Sequence, residues 1–160
     1  MTATGIEGLV VKDSAQPYQG GQRQWIKVKH RETIDVICAA VIGDITRPTA
    51  LIAGLPIEGE LRIVGRTTQL HATTATTLGR LLRPPHTHPP WPDQIPPSTV
   101  DRFARHPDPI DLTHIDPVVV EISTDVAWSG NSFRHSLRYV RIRPELDPDE
   151  IEPPASLTHA

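Results

Sequence analysis

The chain has 160 residues, of which 38% are hydrophobic and 22% charged, and its formal net charge is -3. These values fit one ordinary globular domain and exclude wholesale disorder and a uniformly basic nucleic-acid coat. No apolar run is long enough to span a bilayer, the start of the chain does not read as a secretory signal, and the single Cys38 has no disulfide partner, so a cytoplasmic protein with no membrane partner is expected.

Residues 8–12 are rich in β-branched side chains, and residues 25–29 alternate with period two. The polar stretch between them contains Gly20-Gly21, so the two segments read as a long hairpin. Residues 33–43 form a continuous apolar run, fit for a well-buried strand in which Cys38 is a small hydrophobe. Residues 49–54 follow a turn at Thr46-Arg47-Pro48 and give another strand, and residues 60–68 a third. Residues 73–82 read as a helix, with Leu78, Leu81 and Leu82 expected on one face.

Nine of the 17 prolines fall between Pro84 and Pro109, a density that excludes helix or central strand. Residues 84–110 therefore read as a long extended connection, held down by Trp91, Ile95, Val100 and Phe103. Residues 117–123 are a strand with Pro117 at its first position, Ser129-Gly130-Asn131-Ser132 a turn, and residues 133–143 the return strand. Apolar parity slips near Tyr139-Val140, which predicts a bulge. Residues 144–160 are acidic and read as a mostly solvated tail. Five strands with one helix after the third is the order of an OB-fold, a small Greek-key barrel. The expected fold is thus mainly β: an OB barrel over residues 32–143, carrying the insertion 84–110 and preceded by two strands in residues 1–31.

Three groups of residues carry chemistry. Trp25, Lys27 and Lys29 share one face of a strand, and two ammonium groups about 7 Å apart suit a polyanion, although a bare Lys-x-Lys more often marks a solvated face. Glu7, at the start of the preceding strand, is of the type that holds a divalent metal beside a phosphate. Arg134, Arg138, Arg141 and Arg143 put four cations in ten residues with no acid among them. That run reads either as a DNA-backbone patch or as a strand neutralised by the acidic tail. His86, His88, His106 and His114 lie in or near the proline-rich stretch without cysteine or carboxylate at ligand spacing, and no nucleophile-elbow motif supports a Ser-His-Asp triad.

Taken together, Glu7-Gly8, three apolar residues and Lys12, then Tyr18, a glycine turn and Trp25-Ile26-Lys27-Val28-Lys29 form a specific arrangement. It resembles motifs IV and V of the covalent nucleotidyltransferases, in particular the ATP-dependent DNA ligases. The segments Val64-Gly65-Arg66-Thr67, Pro90-Trp91-Pro92 and residues 134–146 look like those of short accessory bacterial ligases, and the resemblance covers about residues 3–150.

The resemblance implies that Glu7 helps bind a divalent metal and that Lys12, Lys27 and Lys29 contact the nucleotide, with ATP and Mg²⁺ as cofactors. It implies an OB domain that clamps nicked double-stranded DNA through Arg134, Arg138, Arg141 and Arg143. Residues 134–146 occupy the place of motif VI, but Arg143-Pro144-Glu145-Leu146 stands where that family has Arg-x-Asp-Lys. The family's nucleophile lies in Lys-x-Asp-Gly, and none of Lys12, Lys27 or Lys29 is followed by it. The chain therefore reads as the C-terminal part of a ligase: a truncated gene, a split protein whose partner is a separate nucleotidyltransferase polypeptide, or a piece cut deliberately. The alternatives are a non-catalytic OB module that binds DNA, and an RNA ligase or capping-type enzyme sharing motifs IV and V.

Overall fold

A computed structural model describes residues 8–11, 26–29, 32–101, 104, 107–124, 128–129 and 132–154. Strands β1 (Gly8–Val11) and β2 (Ile26–Lys29) pair antiparallel, as the hairpin reading expects. Five longer strands make one sheet: β3 (Glu32–Asp44), β4 (Arg47–Ile57), β5 (Glu60–Arg66), β8 (Thr113–Thr124) and β11 (Arg138–Ile142). Their order is β11-β8-β3-β4-β5, with every neighbouring pair antiparallel. The two ends of this sheet then meet. A parallel bridge joins Thr67, just after β5, to Leu137, just before β11. Thr68 N donates to Leu137 O at 2.7 Å and Leu137 N to Arg66 O at 3.0 Å. The closed sheet, with one α-helix among the described residues, after the third of the five strands, is a mainly-β, OB-like fold.

Local chemistry sets the turns. Ile57 pairs with Glu60 across the two-residue loop Glu58-Gly59, both residues at positive φ, the geometry whose twist suits a tight hairpin. Between β3 and β4, Asp44 Oδ1 accepts from the backbone N–H of Thr46 at 2.7 Å, an Asx turn at residues 45–46 rather than at Thr46-Arg47-Pro48. The helix α1 (Ala72–Leu81) buries Ala75 and Leu78, with Leu82 following into the core. Leu81 is 49% exposed, so it is not on that face as expected. The stripe runs 75, 78, 82 instead.

Two apolar clusters lie on opposite sides of the sheet. The barrel interior holds Val36, Cys38, Val41, Leu51, Leu55, Val64, Leu78, Ile115, Ile122 and Leu137. Outside it, Trp91, Ile95, Val100 and Leu112 pack on Ala39, Ala40 and Ile52. The proline-rich connection is thus anchored as expected by Trp91, Ile95 and Val100, while Phe103 lies outside the described residues. It is not merely extended: β6 (Gln94–Ile95) pairs with β7 (Ile110–Asp111), and Pro97–Thr99 is a 3₁₀ turn.

Three further expectations change. Pro117 sits inside β8 rather than at its start, within the register shift where Ala39 faces residues 115–117, a bulge that has no need of its N–H. The return strand is broken into β10 (Ser132–Phe133), which pairs with β9 (Trp128–Ser129), and β11. The register shift between Tyr139 and Arg141 is the expected bulge. The start of the acidic segment is packed rather than solvated. Leu146 and Ile151 join the core, and a 3₁₀ turn at Pro148–Glu150 is capped by Asp147. No helix among the described residues is long and apolar enough to cross a membrane.

Candidate functional site

Strand β11 carries Arg138 and Arg141, with Arg134 before it and Arg143 just after it, and the neighbours decide what each guanidinium can do. Arg141 Nε donates to Glu121 Oε2 of β8 at 2.7 Å, and its terminal nitrogen lies 3.5 Å from Glu145. Arg143 donates to both Asp35 oxygens of β3 at 3.0 and 3.1 Å and through Nε to Glu145 at 2.6 Å. The guanidinium of Arg141 and the hydroxyl of Thr33 hold the Glu121 carboxyl below its usual range. The backbone N–H of Glu145 and the Arg143 guanidinium do the same for Glu145, and Glu145 raises Arg143 in turn. Two of the four expected phosphate ligands are therefore tied to carboxylates. Arg134 and Arg138 are exposed and make no ion pair among the described residues. The run contains no acid, but antiparallel pairing brings acids from β3 and β8 beside it, which no linear spacing reveals.

The barrel seam forms a second feature. An open cleft of about 500 Å³ lies where β5 meets the approach to β11, lined by Arg66, Thr67, Thr68 and Ser136 among others. Arg66 was legible only as part of a segment resembling accessory ligases; its place in a cleft follows from barrel closure.

Glu7 and Lys12 lie outside the described residues. Lys27 and Lys29 take alternate positions on β2, opposite Val10 and Gly8. Lys-x-Lys and the arginine strand belong to different sheets. His86 Nδ1 lies 3.3 Å from Asp116, and His114 Nε2 lies 3.0 Å from Asp93, so these histidines fasten the proline-rich connection to β8 and its surroundings. His106 is outside the described residues, and no group of three metal-ligating side chains occurs among those described.

No protein-family model and no curated protein matches the sequence. Solved structures do, among them the following two. The ligase domain of LigD from M. tuberculosis is 27% identical, with a TM-score of 0.57, over 91% of this chain and 47% of that one. A mycobacterial DNA ligase D complexed with ATP is 26% identical, with a TM-score of 0.56, over 89% of this chain and 45% of that one. The chain spans about half the length of the solved structures it matches.

Proposed function

We propose that the chain is the C-terminal part of an ATP-dependent DNA ligase, supplying the duplex-binding barrel and part of the nucleotide pocket for nick sealing. The observation that carries this reading is the closed β11-β8-β3-β4-β5 barrel, shared at 27% identity over 91% of the chain with a ligase domain. In this reading residues 1–31 are the remnant of the adenylation domain, residues 32–143 the OB domain with its insertion 84–110, and residues 144–160 an acidic extension. Lys12, Lys27 and Lys29 would hold the phosphates of ATP, and Glu7 a Mg²⁺ ion. Bound ATP would supply the adenylyl group, with pyrophosphate as the leaving group; these residues would bind and orient it.

On the barrel, Arg134 and Arg138 have the donors to meet a duplex backbone, because Arg141 and Arg143 are engaged with Glu121, Asp35 and Glu145. Phosphate contacts of this kind position a protein without reading sequence. The test is fluorescence anisotropy with nicked and intact duplexes over a salt series. Binding should fade with salt, and the double variant Arg134→Ala/Arg138→Ala should flatten the log–log slope by about 0.9 for each phosphate no longer neutralised. No binding at low salt, or a slope unchanged in the double variant, overturns the reading. A non-catalytic DNA-binding module is the second reading, favoured by the lack of Lys-x-Asp-Gly in the sequence. It is separated from the first by adding an adenylation-domain polypeptide and looking for sealing.

A further inference from the structure

We infer that the cleft at the barrel seam is a phosphodiester site, in which Arg66 holds the backbone of a polynucleotide strand. The inference rests on the reading of the barrel as duplex-binding and adds a place on it that the arginine strand does not include. Arg66 is the last residue of β5, and its Nε is buried with no hydrogen-bond partner. A buried charged donor without an acceptor is unfavourable, and a guanidinium has five donors to place. The Asp101 carboxylate lies 3.9 Å from a terminal nitrogen, not from Nε, too far for a hydrogen bond. The side chain is 36% exposed, so its outer edge remains open to an incoming anion.

The rest of the lining fits the same ligand. Thr68, Gln69 and Ser136 bring hydroxyl and amide groups, while the Thr49 hydroxyl is spent on Ile42 O at 2.9 Å and Thr67 is buried; among the described residues no carboxylate lines the cleft. Phosphate oxygens accept from guanidinium and hydroxyl donors together. Among the described residues no aromatic ring lines it, and the polar donors there suit phosphate oxygens rather than a stacked base. The donors sit on a fixed frame. Thr67 is 2% exposed, its N–H donates to Leu51 O at 2.9 Å, and its hydroxyl accepts from Leu51 N at 3.0 Å. Thr68 and Arg66 are held through Leu137 by the seam bonds, so the site is organised before a ligand arrives.

The test uses the wild-type chain labelled with ¹⁵N and follows the Arg66 Nε–Hε resonance, identified by its loss in Arg66→Lys. A 20-base-pair duplex should shift that resonance in step with the anisotropy change. Inorganic phosphate at the same phosphate concentration should leave it nearly unmoved. Arg66→Gln should lower the salt slope by about 0.9, and Arg66→Lys should retain most of it. A resonance unmoved at saturating duplex overturns the inference, as does one moved equally by inorganic phosphate, which marks a small-anion site. If Arg134 and Arg138 govern binding while Arg66 stays silent, the duplex-binding reading stands and this one falls. If no duplex binds at low salt, both fall.

Discussion

Trp91 donates its indole N–H to the carbonyl of Leu61 at 2.8 Å, across thirty residues of chain. Leu61 and Pro56 form the non-hydrogen-bonded pair next to the Ile57–Glu60 hairpin closure, so the Leu61 carbonyl points away from β4, and β5 ends the sheet order. The indole therefore satisfies an edge carbonyl while its ring covers Gly54. A Cβ on Gly54 would fall 2.6 Å from Trp91 Cζ2 and 3.0 Å from Leu61 Cδ1. Trp91→Ala should destabilise the fold by about 3–5 kcal/mol, and Gly54→Ala by about 1–3 kcal/mol through overpacking. Urea titrations of both variants check this. A destabilisation below about 1 kcal/mol for Trp91→Ala would mean that the connection does not hold to the barrel through this tryptophan.

Gly79 offers a test in which two effects oppose each other. In an exposed helix interior, glycine to alanine gains about 1 kcal/mol. Here a Cβ on Gly79 would collide with the Thr46 carbonyl, a backbone group in the β3–β4 turn that cannot swing aside. Gly79→Ala should therefore lower the melting temperature, where helix propensity alone would raise it. Thermal unfolding followed by circular dichroism decides which effect wins.

The strand order, the helix and the bulge at Tyr139–Arg141 were legible because each has a local signature. The apolar runs of β3 and β4 were legible as buried, yet their reason was not. Alternation fails there because Leu51, Ala53 and Leu55 face the barrel interior while Ile52 packs under the insertion, so both faces are covered. Leu81 was misplaced because helical spacing gives several possible stripes, and only the position of the barrel mouth selects 75, 78 and 82. Within the candidate site, the arginine run was legible as a cluster of cations, and its partial neutralisation by Glu145 of the acidic segment was one of the two readings the sequence offered. The contacts to Asp35 and Glu121, and the cleft around Arg66, were hidden because they depend on partners far along the chain.

The Asp35–Arg143–Glu145 and Arg141–Glu121 contacts predict an acid dependence. Glu121 and Glu145 are held below the ordinary 4.5, so their contribution is complete above about that pH. It is lost as pH falls through the lowered folded-state values. Stability measured between about pH 6 and pH 3 should fall, and Arg143→Leu should show a shallower fall than wild type. Equal slopes would mean that the ion pairs contribute nothing, as is common for exposed pairs.

Cys38 is fully buried, and burial pushes its thiol up to about 12. Since the thiolate is the reactive form, the native chain should resist disulfide reagents at about pH 8 and react fully once unfolded. Because the folded-state value lies above the unfolded 9.0, stability is unaffected below pH 9 and declines as pH rises towards 12. Cys38→Ala should lose that part of the alkaline decline. Rapid native-state labelling would overturn the placement of Cys38 in the barrel core.

The last prediction concerns catalysis. This chain alone should form no covalent adduct with AMP. Such an adduct needs an amine held in line with the α-phosphate, and positioning of that kind supplies much of the rate. The sequence has three lysines, Lys12, Lys27 and Lys29, and none is followed by x-Asp-Gly. The resemblance implies that Lys27 and Lys29 would stabilise charge on the phosphate rather than attack it. Lys27 and Lys29 take alternate positions on the four-residue strand β2, opposite Val10 and Gly8. The measurement is incubation with Mg²⁺ and α-labelled ATP, then denaturing electrophoresis. No labelled band is expected at 17.7 kDa, while an added adenylation-domain polypeptide carrying Lys-x-Asp-Gly should label at its own size. A band at the size of this chain, abolished in Lys27→Ala or Lys29→Ala, would make one of the supposed phosphate ligands the nucleophile.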